Sequence, residues 1–283
     1  MNYTTRFDLR FAPEGNPSEA TLFLQVGQEG LQLLITDAGH RPLAFRAVEF
    51  EKEAAENGSL VGLRDWLLEH RDWTRQWSKL WILHDCPQVS IVPAALYNVD
   101  NGKELLDAQF GDLFKGTLLT EQVSGRQDYA IYRIPTEAYH ALSNAHPNSL
   151  HRHLLSVWLA WLEKLPTAAA GQIFLLFDNN RVAVAIRKED WLLVQSYAFQ
   201  QPEDISYYLL AATTHLNLDP ETVELFFNGW IDTGSSLYAE LFKYFRNIAV
   251  TPAPEGVTLS AESLQDQPEH YFTPLMQLAS CVS

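Results

Sequence analysis

Ile173-Phe174-Leu175-Leu176-Phe177-Asp178-Asn179-Asn180-Arg181-Val182-Ala183-Val184-Ala185-Ile186 is a pair of apolar runs around a polar break. Runs this short, bounded by turn residues, predict two strands joined as a hairpin. A third run, Trp191 to Phe199 beyond Lys188-Glu189-Asp190, extends them into a meander. Pro202 then predicts a helix start, with Glu203 and Asp204 in the first turn where the helix dipole favours acids. Ile205, Tyr208, Leu209, Ala212 and Leu216 are its buried stripe. Thr222 to Phe227 predicts the next strand, so the order is β-β-β-α-β.

The same order stands earlier in the chain. Leu22 to Val26, Leu31 to Ile35 and Leu43 to Phe50 predict strands, separated by Gly27-Gln28-Glu29-Gly30 and by Asp37-Ala38-Gly39-His40. Ser59 can cap a helix whose apolar positions are Leu60, Leu63, Trp66 and Leu67, and Lys79 to His84 predicts the fourth strand. Sliding the sequence by 151 positions lays Phe23 on Phe174, Leu24 on Leu175, Leu31 on Val182, Leu33 on Val184 and Ile35 on Ile186. A repeat of element order at a fixed offset is the signature of a duplicated unit.

Between the halves, Val89 to Val92 predicts a strand, Lys103 to Phe110 a helix, and Leu118 to Val123 with Tyr129 to Ile134 an inserted strand pair. Pro135 starts a short helix. Ser149 to Leu165 predicts a longer one, with Leu150, Leu154, Val157, Trp158, Trp161 and Leu165 on one face and Pro166 ending it. The expected domains are 1–148, and 149–283 with an irregular C-terminal segment. Phe7, Leu9 and Phe11 alternate as an edge strand or docking arm would, and apolar residues return from Tyr271 to Cys281.

Composition narrows the function classes. With 283 residues, 47% of them hydrophobic, the chain can bury a sizeable core; 35 acidic against 20 basic residues leave a formal charge of −15, which argues against general nucleic-acid binding. Cys86 and Cys281 form no CxxC, which excludes a disulfide framework and fits a reducing cytoplasm. The N-terminus lacks the apolar core of a signal peptide. The most apolar helix stretch, Leu154 to Leu162, is about half a membrane span, so no membrane insertion is expected.

Two β-β-β-α-β halves resemble the actin-like ATPase superfamily, whose two ribonuclease H-like domains with mixed sheets close over a nucleotide. More narrowly, Val92-Pro93-Ala94-Ala95-Leu96-Tyr97, Leu225-Phe226-Phe227-Asn228-Gly229 and the length resemble a family of uncharacterised bacteroidete proteins assigned to that superfamily. The resemblance implies an Asp-x-Gly turn after the first strand, where the carboxylate helps hold hydrated magnesium. Here that turn reads Gln25-Val26-Gly27. Its second-domain counterpart reads Leu176-Phe177-Asp178, with an acid at the glycine position. The paired glycines expected at the adenosine are Phe227-Asn228-Gly229-Trp230. Phosphoryl transfer depends on positioning and on charge neutralisation around magnesium and phosphate, so these departures remove its main supports.

The resemblance therefore implies a degenerate nucleotide site, with Gly27, Asp178, Asn179 and Gly229 as the residues that would contact a nucleotide. Each also reads as an ordinary turn residue. The expectation is an acidic, non-catalytic binding or assembly component with a protein partner, its interdomain cleft dry or occluded. The alternative is a divergent ATPase or kinase-like enzyme using Mg-ATP.

Asp232-Thr233-Gly234-Ser235 resembles an aspartic-protease loop, a weaker alternative. That chemistry needs two aspartates sharing a proton, and the nearest second copy, Asp37-Ala38-Gly39, lacks the hydroxyl residue; helix capping is the plainer reading. His84-Asp85-Cys86 cannot form a triad, because neighbours on a strand face opposite ways. His146, His151 and His153 suggest a metal, but on a helix 151 and 153 share no face. Trp73, Trp77 and Trp81 read as core packing.

Overall fold

The structure, a computed structural model, describes residues 2–12, 16–51, 61–71, 77, 79–257 and 259–281. They fall into two compact units, one within residues 1–161, 256–265 and 275–283, the other within 162–255 and 266–274.

In the first unit, β1 (Tyr3–Arg10), β2 (Thr21–Val26), β3 (Gly30–Thr36) and β4 (Pro42–Phe50) precede α1 (Val61–Glu69) and β5 (Lys79–His84). They form a mixed sheet in the order β1-β4-β3-β2-β5, with β9 (Leu150–His153) beyond β5. The meander pairs are antiparallel, whereas β5 runs parallel to β2 and β9 parallel to β5. Leu22, Leu24, Leu33 and Ile82 pack with Leu63 and Trp66 of α1 in one core cluster. Phe23, Leu34, Phe45 and Leu83, at alternating positions, are buried as well. Burial of both faces is why these strands read as continuous apolar runs and not as alternation. The expected cap Ser59 and its neighbour Leu60 lie outside the described residues, as does Trp73; Trp77 is buried and Trp81 lies on β5.

A three-stranded antiparallel sheet, β6 (Val89–Pro93), β8 (Asp128–Ile134) and β7 (Thr117–Gln122), follows, with α2 (Gly102–Phe110) between β6 and β7 and α3 (Thr136–Ala145) after β8. The expected pair thus gains β6 as a third strand. The expected helix from Ser149 is corrected: Leu150–His153 is strand β9, with His153 opposite His84, and α4 begins only at Leu154 and ends at Leu162. Helical periodicity in the apolar residues masked this, because the exposed edge of β5 offers backbone partners that a sequence pattern does not record.

In the second unit, β10 (Gln172–Asp178), β11 (Arg181–Arg187), β12 (Trp191–Ala198), α5 (Pro202–His215), β13 (Glu224–Gly229), α6 (Ser236–Tyr244) and β14 (Asn247–Val250) build a sheet ordered β12-β11-β10-β13-β14. It repeats the order β4-β3-β2-β5-β9 with the same parallel and antiparallel senses. The offset of 151 holds in the register: Leu24 faces Leu33, and Leu175 faces Val184. Ile205 and Leu209 of α5 join Leu175, Val184 and Phe227 in the core.

The donors of buried Arg187 are satisfied: its guanidinium donates to the carbonyls of Leu162, Leu165 and Pro166 and to Gln172 Oε1. It also lies against the rings of Phe174 and Trp191. The tail runs without regular structure to a short 3-10 turn at Glu269–Tyr271, and α7 (Thr273–Ala279) closes the described chain, with Phe272, Leu275 and Leu278 fully buried.

Candidate functional site

The residues expected to contact a nucleotide stand at or beside the hairpin tips. In the first unit Gly27 N–H donates to Gly30 O at 2.9 Å, closing the turn after β2. Gln25, which takes the place of the expected carboxylate, is buried within the sheet opposite Gln32. In the second unit Asp178 ends β10 opposite Arg181, and Asn179 and Asn180 make the turn.

The neighbouring parallel strand β13 ends at Gly229, paired with Phe177. Asp178, Asn179 and Gly229 therefore gather at one end of the second unit's sheet, while Gly27 belongs to the first unit. Gly229 has φ +83°, and a Cβ there would lie 2.1 Å from the Phe177 carbonyl oxygen. That same carbonyl accepts Trp230 N–H at 3.1 Å. Close backbone approach between strands explains this glycine without any ligand. Beside it, buried Asn228 Oδ1 accepts the hydroxyl of Thr273 at 3.1 Å and Gly229 N–H at 3.2 Å.

The Asp232-Thr233-Gly234-Ser235 loop is a turn and a cap. Asp232 Oδ1 accepts Gly234 N–H at 2.6 Å, and the Asp232 carbonyl accepts Ser235 N–H and Oγ–H. Ser235 Oγ in turn accepts Tyr238 N–H at 3.2 Å, which makes Ser235 the N-cap of α6. The carboxylate organises the approach to a helix, the ordinary use of such residues at this position.

A histidine set is the part that sequence reading missed. On strand β9, His151 and His153 fall on one face, and with His84 of β5 they meet at the end of the parallel pair. The His84 and His151 rings stack with centroids 5.1 Å apart. His84 Nε2 lies 2.8 Å from His151 Nδ1, His151 Nε2 lies 3.1 Å from Ser149 Oγ, and Ser149 Oγ–H donates to the His146 carbonyl. With Ser149 committed as donor, His151 carries its proton on Nε2, and its bare Nδ1 accepts from His84 Nε2–H. This network makes His151 neutral, and burial disfavours the charged form of His84. His153 is neutral for the same kind of reason: Nδ1 accepts Leu155 N–H, so Nε2–H donates to the Cys86 carbonyl.

Burial, followed by the neighbouring His151 and His153, holds His84 well below the usual imidazole range; burial also lowers His151. Every ring nitrogen of His151 and His153 thus has a hydrogen-bond partner. Among the described residues no group of three or more His, Cys, Asp or Glu is placed to hold a metal ion. The signal available beforehand was the alternation of Leu150-His151-Arg152-His153, which suits a strand as well as a helix start.

No curated protein matches the sequence. Among solved structures, the chain is similar to a Bacteroides thetaiotaomicron protein with actin-like ATPase fold and unknown function. The two are 14% identical over 89% of this chain and 97% of the other, with a TM-score of 0.70. It is also similar to a chain of the PilM-PilN type IV pilus biogenesis complex, 15% identical over 93% of this chain and 98% of the other, with a TM-score of 0.57. The duplicated mixed sheets are therefore those of the actin-like ATPase fold. Residues 12–248 match a single family model, and the chain belongs to that family, the DUF3822 proteins of unknown function.

Proposed function

We propose that this chain is a non-catalytic binding or assembly protein of the cytoplasm that keeps an actin-like fold around a degenerate nucleotide site. The observation that carries the reading is the first hairpin, where Gln25 stands buried in the sheet at the position of the magnesium-holding carboxylate. An amide supplies no negative charge to hold hydrated magnesium, and charge neutralisation there is a main support of phosphoryl transfer. Gly229 followed by bulky Trp230 points the same way. The similarity to a chain of a PilM-PilN complex supports a protein partner.

A second reading, a divergent nucleotide-dependent enzyme, draws on Asp178 and Asn179 at the second hairpin, next to Gly229. Thermal unfolding with and without millimolar Mg-ATP and Mg-ADP, backed by titration calorimetry, separates the two. The expected result is no shift and no heat. A ligand present at a hundred times its dissociation constant would stabilise by about 2.7 kcal/mol, a rise of several degrees. A saturable rise of that size, lost in Asp178→Ala, would establish nucleotide binding; magnesium-dependent ATP loss in addition would overturn the non-catalytic reading.

A further inference from the structure

β12 is an outer strand of the second unit's sheet, and among the described residues no strand pairs with its far side. Its residues, Trp191 to Ala198, include no charge and no proline, and none of them is fully buried, whereas β10 and β11 are buried almost throughout. Phe199 N–H donates to the Asn180 carbonyl at 2.9 Å. Alternate residues of an antiparallel strand face the same neighbour, so Leu193, Gln195 and Tyr197 turn their backbone groups to β11. The N–H and C=O of Val194 and Ser196 therefore point away from it. A register shift beside Leu192 leaves Leu193 to Ala198 regular.

Proteins blunt open edges by shortness, charge or cover. β9 and β14 have four residues each, and β1 carries Arg6, Asp8 and Arg10. β12 has none of these devices, and the internal repeat shows what kind of strand it suits. By the offset of 151, Leu33 corresponds to Val184 and Gly30 to Arg181, so their partners correspond as well, Arg46 to Gln195 and Glu49 to Ala198. In the first unit β1 lies antiparallel on β4, with Asp8 against Arg46 and Arg6 against Glu49. An amide and a methyl stand at those two places in β12, which offers no ion pair to a strand like β1 and suits an uncharged one.

β12 is itself such a strand. Laid antiparallel on its own copy about a two-fold axis, its charged approach Lys188-Glu189-Asp190 meets Phe199-Gln200-Gln201 of the other copy, which keeps like charges apart. A parallel pairing would instead set Glu189 and Asp190 beside themselves. We propose that two copies of the chain pair antiparallel through β12 and join their five-stranded sheets into one continuous sheet. The pairing needs neither a nucleotide nor another protein, so it stands or falls apart from the proposed function.

The test is sedimentation of the full chain from low to high micromolar concentration. A monomer–dimer equilibrium is expected, tighter at about 0.15 M salt than at about 0.01 M because each copy brings a charge of −15. Val194→Pro removes an N–H that faces away from β11, a place where an edge strand tolerates proline. It should weaken the dimer about tenfold or more while melting with the parent in dilute solution. Hydrogen exchange of the unsubstituted chain gives a second reading: the Val194 and Ser196 amides should exchange more slowly as concentration rises, and those of β14 should not change. This reading decides the matter if Val194→Pro fails to fold. A chain that stays monomeric throughout overturns the proposal. So does a dimer that keeps its affinity in Val194→Pro, or one whose formation leaves exchange in β12 unchanged.

Discussion

A Cβ at position 229 would meet the Phe177 carbonyl oxygen at 2.1 Å, on a backbone whose φ is +83°. The left-handed conformation alone costs a non-glycine residue about 1–2 kcal/mol, and the contact forces β13 away from β10 in addition. Gly229→Ala should therefore destabilise the protein by about 2 kcal/mol or more, read as a lower urea midpoint. A loss below about 0.5 kcal/mol would mean that the strands part easily there and that the glycine serves something other than packing. Sequence reading singled out Gly229 as a residue that would contact a nucleotide, with an ordinary turn residue as the alternative, and did not reach the close approach of the neighbouring strand. The physical cause, a carbonyl on the neighbouring strand, lies 52 residues away in the chain and leaves no local trace.

At the scale of elements, β9 turns three histidines of no apparent pattern into a packed set. Protonating His151 at Nδ1 would set N–H against N–H at the 2.8 Å contact, and protonating either ring would place a charge in the interior. Tyr132 of β8, its phenol pushed up by burial, and Tyr139 of α3 lie against these rings. Glu121 of β7, whose carboxyl is pushed up by burial, accepts His153 N–H and faces Arg152.

The unfolded chain takes up the histidine proton near pH 6.5 and the native state only at lower pH, so stability is intact above about pH 6.5 and falls as the pH drops below it. Glu121 acts oppositely: its raised carboxyl favours the native state on acidification, from its folded value down toward the ordinary carboxylate range. Subtracting the profile of His84→Gln from that of the parent isolates the histidine. The variant should show the shallower decline between pH 7 and 5, and parallel profiles would sink the argument.

How much was legible follows the same division. The meander strands were readable because each is a short, doubly buried apolar run between turn residues. β9 was not, because four residues followed directly by the helix Leu154–Leu162 carry too little periodicity to set against it.

For the whole molecule, duplication and charge set the terms. Two copies of one sheet order, the second with its hairpin shifted by 151 residues, give each unit its own apolar core, so neither copy needs a ligand to complete its sheet. On the proposed reading, Gln25 in place of a carboxylate changes the chemistry of the first hairpin and leaves the sheet around it intact. The excess of 15 negative charges acts on both units together. Self-repulsion of this kind opposes the compact state and is screened by salt, because the Debye length falls from about 30 Å at 0.01 M to about 8 Å at 0.15 M.

The melting temperature should accordingly rise by about 3 °C over that range, the shift that about 1 kcal/mol gives in a chain of this size. Acidification also discharges carboxylates and relieves the same repulsion, which opposes the histidine effect. The pH series therefore belongs in high salt, where the global contribution is screened and the buried pair is not. If the melting temperature instead falls with salt, local ion pairs such as Arg133 with Asp107 outweigh the net charge, and the acidic surface is not what limits stability.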